Sequence, residues 1–306
     1  MNTKKEDSKI RGSGSFVLAS KVKDYFLLTK FTLSFMVVFS SVICYLLAPG
    51  VRFNFIQVLL LFAGGMMITG SANAVNQVLE KHSDALMKRT SGRPVASGRM
   101  SVEEASVFAF VLGLGGLLLM WYRFNLESAL LGALSLFLYG FIYTPLKTRN
   151  SVAVLVGAFP GALPCLIGWV AGFYESPVWW TGGIVLFAIQ FLWQFPHFWA
   201  IAWVAHKDYA AAGFKLLPSD KGPTKFTAIQ TIMYSAMMIP VGVLPYYYGI
   251  SGMVSMWIVL ACNLSMVALS IRLYVRMDAK SARGVMFGSY FYLMIVLLSL
   301  YANKIA

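Results

Sequence analysis

Long, continuous apolar runs dominate the chain and limit what it can fold into. An α-helix needs about 20 apolar residues to cross the hydrocarbon core of a bilayer. Strands of membrane barrels are about 10 residues long and alternate in polarity, so these runs exclude them. The 306 residues therefore predict an all-α polytopic membrane protein with nine transmembrane helices, over 29–48, 54–75, 104–121, 126–144, 151–172, 178–203, 226–247, 253–274 and 285–302.

The composition agrees with a bilayer environment. Apolar residues make up 58% of the chain and charged residues only 12%, whereas about a quarter of an ordinary soluble domain is charged. The three cysteines, Cys44, Cys165 and Cys262, stand singly in apolar stretches. Because no zinc-like or disulfide-framework spacing is present, we interpret them as small packing residues.

The positive charge is distributed unequally between the two sides of the predicted bundle. If the N-terminus is cytoplasmic, 22 of the 25 Lys and Arg residues fall on the cytoplasmic side, and Arg52, Arg123 and Lys304 remain outside. This asymmetry follows the positive-inside rule. The net charge of +13 therefore indicates orientation in the lipid bilayer, and nucleic acid is not needed as a partner.

The chain divides into two predicted parts. Residues 1–28 form a charged cytoplasmic tail and an interfacial amphipathic helix, and residues 29–306 form the nine-helix membrane domain. Without an Arg/Ser-rich, acid-poor leader, a bacterial inner membrane is the expected location, with the N-terminus and catalytic loops cytoplasmic and the C-terminus outside.

A short segment after the second span is the first candidate site. Asn76, Glu80 and Asp84 are four residues apart, so on a continued helix they stack along one face. Carboxylate and amide oxygens are the ligands that Mg²⁺ shares with substrate phosphates. Since Lys88, Arg89 and Arg93 follow directly, the segment predicts a magnesium and diphosphate site. The alternative is a solvated helix, disfavoured because a polar side chain at a membrane end is costly unless it is used.

Two other segments return to the same side. Tyr143 and Lys147 end the fourth span, and Asp208 and Tyr209 follow the sixth. We expect Lys147 to reach the same phosphate, although each of these residues could instead be an ordinary flanking or interfacial residue.

The sixth span carries Gln194 and His197 among aromatic residues. Two interpretations of His197 remain open. It is either a buried neutral imidazole bonded to Gln194 or a neighbouring helix, or a contact or axial ligand for a porphyrin iron.

Three motifs resemble those of one known family, the UbiA-type intramembrane prenyltransferases, and within it the branch that farnesylates haem. They are N-x-x-x-E-x-x-x-D-x-x-M-K-R-T-x-x-R-P from Asn76 to Pro94, Y-T-P-L-K from Tyr143, and W-Q-F-P-H-F from Trp193 with D-Y-x-x-A-G-x-x-x-L-P ending at Pro218. The chain departs from the family pattern at Glu80, where Asp is usual. It also lacks the second acidic motif of other branches, and this absence favours the haem branch.

The resemblance implies a nine-helix bundle around a central cavity and Mg²⁺-dependent transfer from farnesyl diphosphate to a vinyl group of haem B, giving haem O and diphosphate. Haem B would be a substrate, and Gln194, His197, Tyr143, Asp208 and Tyr209 would hold the substrates. Haem A synthase or terminal-oxidase assembly proteins would be partners. Two alternatives remain: a prenyltransferase for an aromatic quinone precursor and, more remotely, a polytopic transporter.

Overall fold

The chain folds into membrane-length helices. The computed structural model describes residues 20–173, 177–219 and 221–305. The helices in chain order are α1 Ser20–Leu28, α2 Phe31–Leu47, α3 Phe55–Leu79, α4 Lys81–Leu86, α5 Val102–Arg123, α6 Leu126–Leu146, α7 Ala153–Ala171, α8 Trp180–Val204, α9 His206–Ala211, α10 Lys225–Tyr247, α11 Met253–Arg276 and α12 Ala279–Ala302.

The predicted fold class is confirmed. Within the described ranges, eight helices are long and apolar enough to cross a membrane, and the pair α1–α2, bent by 48°, gives a ninth span. The chain is therefore a multi-pass membrane protein. Of the predicted N-terminal segment, residues 1–19 lie outside the described residues and 20–28 form α1, so the interfacial position of that segment stays a prediction.

Small residues bring neighbouring helices close together. A Cβ atom on Gly168 of α7 would overlap the carbonyl oxygen of Ser41 in α2, so the two backbones touch at this point. A Cβ on Gly161 would overlap the side-chain oxygen of Gln194. In lipid, where apolar burial does not drive helix association, such close packing holds a bundle together.

The candidate segment Asn76–Asp84 lies at the end of the bundle where α1 meets α2. Side-chain amides of α3 donate hydrogen bonds to the backbone carbonyls at this bend. Asn73 donates to the Thr29 carbonyl at 3.2 Å, and Gln77 donates to the carbonyls of Leu27 and Leu28 at 2.8 and 3.0 Å. Because helix ends leave backbone carbonyls without partners, these bonds fix the bend against α3.

The other end of the bundle is closed by the C-terminal residues. The Lys304 ammonium donates to the carbonyls of Leu46, Ala48 and Val51 at 2.8, 2.7 and 3.3 Å. The last turn of α2 thereby gains partners for its free carbonyls. The bend at the start of α2 and the C-terminus therefore lie at opposite ends of the bundle.

Candidate functional site

Three polar side chains form a buried ladder where α3 passes into α4. The helix is interrupted at Glu80, yet the backbone N–H of Glu80 donates to the Asn76 carbonyl at 2.9 Å and that of Asp84 to the Glu80 carbonyl at 2.7 Å. The four-residue register is thus kept across the interruption. Asn76 and Asp84 are fully buried and Glu80 is 6% exposed.

Each rung of this ladder meets a cation. The Lys147 ammonium lies 2.8 Å from a Glu80 oxygen. One guanidinium nitrogen of Arg93 donates to both Asp84 oxygens, at 2.7 and 2.6 Å. The buried carboxylates are therefore paired, as burial of a charge requires.

The third cation comes from the bend between α1 and α2. Lys30 adopts a left-handed backbone conformation, φ 48°, and its ammonium donates to the Asn76 side-chain oxygen at 2.7 Å. The amide nitrogen of Asn76 donates to the Thr144 hydroxyl at 3.1 Å. A non-glycine residue in this region is strained, and such strain is concentrated at functional sites. The bend therefore aims a positive charge at the ladder.

A π-helical turn in α6 brings further groups to the site. The turn covers Leu138–Tyr143, and such turns occur frequently at functional positions. Thr144 follows it and donates to the Tyr139 carbonyl at 2.8 Å, which orients the hydroxyl that Asn76 contacts. The Lys147 ammonium lies 4.4 Å from the centre of the Tyr143 ring, in cation–π contact.

These groups surround a cavity of about 170 Å³. Four cationic side chains face two carboxylates there, which leaves a formal excess of positive charge suited to an anionic ligand. Arg89 closes one side by donating to the Tyr209 hydroxyl at 3.0 Å. The rest of the lining is mainly apolar, and the lining residues are Lys30, Leu33, Asn76, Glu80, Asp84, Met87, Arg89, Thr90, Arg93, Tyr143, Lys147, Val154, Phe198, Ile201, Tyr209, Phe214 and Leu216.

The donor set fits a hard divalent cation that is shared with a phosphate ligand. No group of three or more His, Cys, Asp or Glu side chains suited to a metal is present in the described part of the chain. Glu80, Asp84 and the amide oxygen of Asn76 nevertheless supply two carboxylates and a neutral oxygen. Mg²⁺ binds proteins through one or two carboxylates and fills its remaining positions with water and phosphate oxygens. An all-protein cage is therefore not expected.

The structure places eight of the predicted site residues at this cavity: Asn76, Glu80, Asp84, Arg89, Arg93, Tyr143, Lys147 and Tyr209. Four others do not line it. Lys88 is exposed and Asp208 is half-buried on α9. Gln194 donates to the carbonyls of Ala158 and Gln190, and His197 contacts α12. The substrate contacts proposed for these four stay predictions.

The sequence did not predict Lys30, which lines the cavity, or Tyr139 and Thr144, whose hydrogen bonds orient the Asn76 side chain. Lys30 is separated from Asn76 by 46 positions and Thr144 by 68. The only local signal for Lys30 is a charged residue at the start of an apolar span. Such a residue must find a partner, but one sequence does not say which.

Known proteins are similar to this chain over most of its length. A model of the UbiA prenyltransferase family matches residues 37–296. The protein named "Protoheme IX farnesyltransferase" of Cytophaga hutchinsonii is 44% identical over 288 residues, which cover 94% of this chain and 100% of that protein.

Solved structures agree in fold. A structure of digeranylgeranylglyceryl phosphate synthase superposes with a TM-score of 0.76 at 19% identity, covering 94% of this chain and 99% of the other. A UbiA homologue from Archaeoglobus fulgidus, bound to GPP and Mg²⁺, gives a TM-score of 0.65 at 14% identity, covering 90% and 99%.

Proposed function

The chain belongs to the UbiA prenyltransferase family, and we propose that it transfers a farnesyl group from farnesyl diphosphate to a vinyl group of haem B, giving haem O and diphosphate. The observation that carries the proposal is the ladder of Asn76, Glu80 and Asp84 facing four cationic side chains in one cavity. The relative from Cytophaga hutchinsonii, similar over its whole length, supports haem as the acceptor.

The cationic side chains bind and stabilise the leaving group. When the bond between farnesyl C1 and oxygen breaks, its electron pair departs with the diphosphate, whose negative charge increases. Lys30, Arg89, Arg93 and Lys147 are already in place around the cavity. Charges that need no reorganisation during the reaction stabilise a transition state more strongly than water does.

Asn76, Glu80 and Asp84 are the residues that would hold Mg²⁺, which would neutralise charge on the diphosphate oxygens. Each of them now contacts a cationic side chain. Those cationic side chains can turn to phosphate oxygens when the ligand arrives, since the cationic side chains line the same cavity as Asn76, Glu80 and Asp84.

Aromatic side chains suit the allylic cation that forms when the diphosphate leaves. Tyr143, Phe198 and Phe214 line the cavity, and aromatic rings attract a cation through their negative faces. The π electrons of the haem vinyl group form the new C–C bond to farnesyl C1. Water then adds to the resulting cation beside the pyrrole and loses a proton, which leaves a hydroxyethylfarnesyl group.

We propose that the protein lies in the inner membrane of a bacterium and that its site faces the cytoplasm. The site lies at the α1–α2 bend, the end whose loops carry most of the Lys and Arg residues that the structure describes, and Lys304 lies at the other end. This placement follows the positive-inside rule. Haem O would pass to haem A synthase or terminal-oxidase assembly proteins, the partners that we propose.

Purified protein in detergent tests the reaction. With haem B, farnesyl diphosphate and Mg²⁺, mass spectrometry should detect a haem that has gained one farnesyl group and one hydroxyl group, and chelation of Mg²⁺ should stop its formation. Prenylation of a hydroxybenzoate with unchanged haem would instead show a quinone-precursor enzyme. Asp84→Ala should lower turnover by more than about 100-fold.

A matched control separates this effect from a general loss of carboxylates. Asp278 is a carboxylate at the start of α12, where it accepts from the Ser281 N–H, and it does not line the cavity. Asp278→Ala, the same substitution at this distant carboxylate, should retain nearly full turnover. Wild-type turnover in folded Asp84→Ala protein would contradict the assignment of the ladder.

A further inference from the structure

The cavity at the ladder is too small for two substrates. Its volume is about 170 Å³, whereas sites for drug-sized ligands usually measure about 300–1,000 Å³. It suits the diphosphate end of one substrate, but a porphyrin beside that substrate needs further space. A second cavity, of about 680 Å³, offers such space next to it. We call it the bend cavity, because residues of the α1–α2 bend form one of its walls.

The bend cavity and the ladder cavity share part of their lining. Lys30, Leu33, Arg89 and Arg93 line both. The residues that line only the bend cavity are Lys23, Phe26, Leu27, Phe31, Thr32 and Gly92. A ligand in the bend cavity is therefore adjacent to the groups that would bind the diphosphate.

Arg99 joins the two walls of the bend cavity. Its Nε donates to the Asp24 carboxylate of α1 at 3.0 Å, and its Nη2 donates at 2.9 Å to the carbonyl of Gly92, in the segment between α4 and α5. Asp24 is buried. The distance between α1 and this segment is thus fixed by one guanidinium group, and a cavity formed in advance binds a ligand at a lower cost in ordering.

The lining of the bend cavity combines aromatic rings with positive charge. The rings of Phe26 and Phe31 meet edge to face, with centroids 5.3 Å apart, and the two residues are 52% and 43% exposed. Lys23 forms no ion pair with the described carboxylates. Asp and Glu are absent from the described residues that line this cavity. The lining therefore suits a ligand that has a large apolar face and negative charge.

Haem matches this lining better than the other candidate ligands do. It is a flat aromatic ring with two propionate carboxylates on one side and its vinyl groups away from them. A farnesyl chain carries its charge only in the diphosphate, so it would make no use of Lys23. A phospholipid headgroup can pair with any basic residue at the membrane surface, and it does not need a cavity that adjoins the ladder.

We propose that the bend cavity binds the haem acceptor, with a propionate paired to Lys23 and the porphyrin lying against Phe26 and Phe31. This inference rests on the proposed function, because it requires haem as the substrate. Lys23 lines only the bend cavity, whereas Leu33 lines both cavities. A porphyrin anchored at Lys23 therefore extends toward the shared residues, and its vinyl side approaches the place where the diphosphate leaves.

Filling the bend cavity tests the proposal. A Cβ atom on Gly92 would meet no atom within 4 Å, so Gly92→Trp places an indole in the cavity without displacing packed side chains. In absorption titrations of purified protein, we expect this variant to bind haem at least about 10-fold more weakly, as overpacking a site does. The KM for haem should rise equally, while the KM for farnesyl diphosphate and the melting temperature stay unchanged.

Ser91→Trp is the matched control for this variant. Ser91 is the exposed neighbour of Gly92 and does not line the bend cavity. The control adds the same indole one residue away, so its haem affinity should equal that of the wild type.

The charge at Lys23 gives a second test. Lys23→Gln should weaken haem binding by about 3-fold, the effect of losing one exposed ion pair. Haem dimethyl ester has no carboxylate, so the wild type and Lys23→Gln should bind it equally. Lys21→Gln is the matched control, because Lys21 lies on the same helix but pairs with Glu104 at 2.8 Å and does not line the cavity. It should bind haem as the wild type does.

Three results would overturn the proposal. The first is wild-type haem affinity in folded Gly92→Trp protein. The second is a raised KM for farnesyl diphosphate with unchanged haem affinity, which would place the farnesyl chain in the bend cavity. The third is a loss of bound phosphatidylglycerol from Gly92→Trp in native mass spectrometry, again with unchanged haem affinity, which would assign the cavity to a lipid headgroup.

The proposed function and the bend-cavity proposal fail differently. If the wild type binds haem with these dependences on Gly92 and Lys23 but makes no haem O, the proposed function fails and the binding site stands. If haem O forms while Gly92→Trp and Lys23→Gln keep the wild-type haem affinity, farnesyl transfer stands and the haem site is elsewhere.

Discussion

Glu80→Gln is the substitution that separates charge pairing from catalysis most clearly. The Glu80 carboxylate lies 2.8 Å from the Lys147 ammonium, and the two side chains are only 7% and 9% exposed. Glutamine has nearly the same shape and keeps an oxygen, but it removes the negative charge. Lys147 then remains as a buried cation whose nearest favourable contact is the Tyr143 ring, at 4.4 Å.

The expected cost of this change can be worked out from the burial of the pair. Removing one partner of a buried ion pair costs about 3–5 kcal/mol. The lower end, about 3 kcal/mol, applies because the pair borders a cavity that water can enter. A chain of this size loses roughly 2 °C of melting temperature per kcal/mol, so we expect a decrease of about 6 °C.

Turnover should fall by more than about 100-fold in the same variant, because the Glu80 carboxylate is replaced by a neutral amide. Glu80→Gln combined with Lys147→Met removes both charges, and replacing an ion pair by groups of similar volume is often neutral or stabilising. The double variant should therefore melt near the wild-type temperature and remain inactive. Thermal unfolding in detergent and the haem mass assay measure the two effects.

Two outcomes would refute this reasoning. Wild-type turnover in Glu80→Gln would remove the carboxylate from the catalytic site. Recovery of turnover together with stability in the double variant would show that Glu80 serves only to neutralise Lys147.

Two further substitutions test the packing of the bundle. Gly168→Ala places a methyl group on the Ser41 carbonyl oxygen and should destabilise the protein by about 3 kcal/mol. As a control, Gly284→Ala, where the nearest atom to the new methyl group is 3.8 Å away, should leave the melting temperature unchanged or higher. Equal melting temperatures of the two variants would contradict the contact between Gly168 and Ser41. Lys304→Met removes three hydrogen bonds to carbonyls at the end of α2 and should lower the free energy of unfolding by about 1.5 kcal/mol, with turnover retained at low temperature. An unchanged melting temperature would show that these hydrogen bonds do not contribute to stability.

The sequence predicted the features that depend on local spacing. Apolar length located the spans, and the four-residue spacing of Asn76, Glu80 and Asp84 placed their side chains on one face. That prediction survives the helix interruption at Glu80 because the backbone bonds on both sides keep the i to i−4 pattern. Helix limits were less accurate: the last span was predicted from residue 285, but α12 begins at Ala279.

Contacts between segments that are distant in sequence could not be predicted from local spacing. Asn73 looks like another rung of the ladder, since it lies one turn before the next amide. The structure shows that its side chain donates to the Thr29 carbonyl and the Ser34 hydroxyl, and so holds the bend. The same residue type, three residues apart on one helix, thus serves the fold at one turn and the site at the next. Only the packing of α2 against α3 distinguishes the two roles.

The pairing of every ladder group with a cationic side chain explains how two carboxylates can be buried at this end of the bundle. Two unpaired carboxylates buried at the end of a bundle would repel each other and be costly to desolvate. Arg93 and Lys147 remove that cost, and they are the type of group that phosphate oxygens also attract. Under the proposed function, an arriving diphosphate would exchange one set of charge pairs for another within the same cavity, so the residues that stabilise the buried carboxylates would also bind the leaving group.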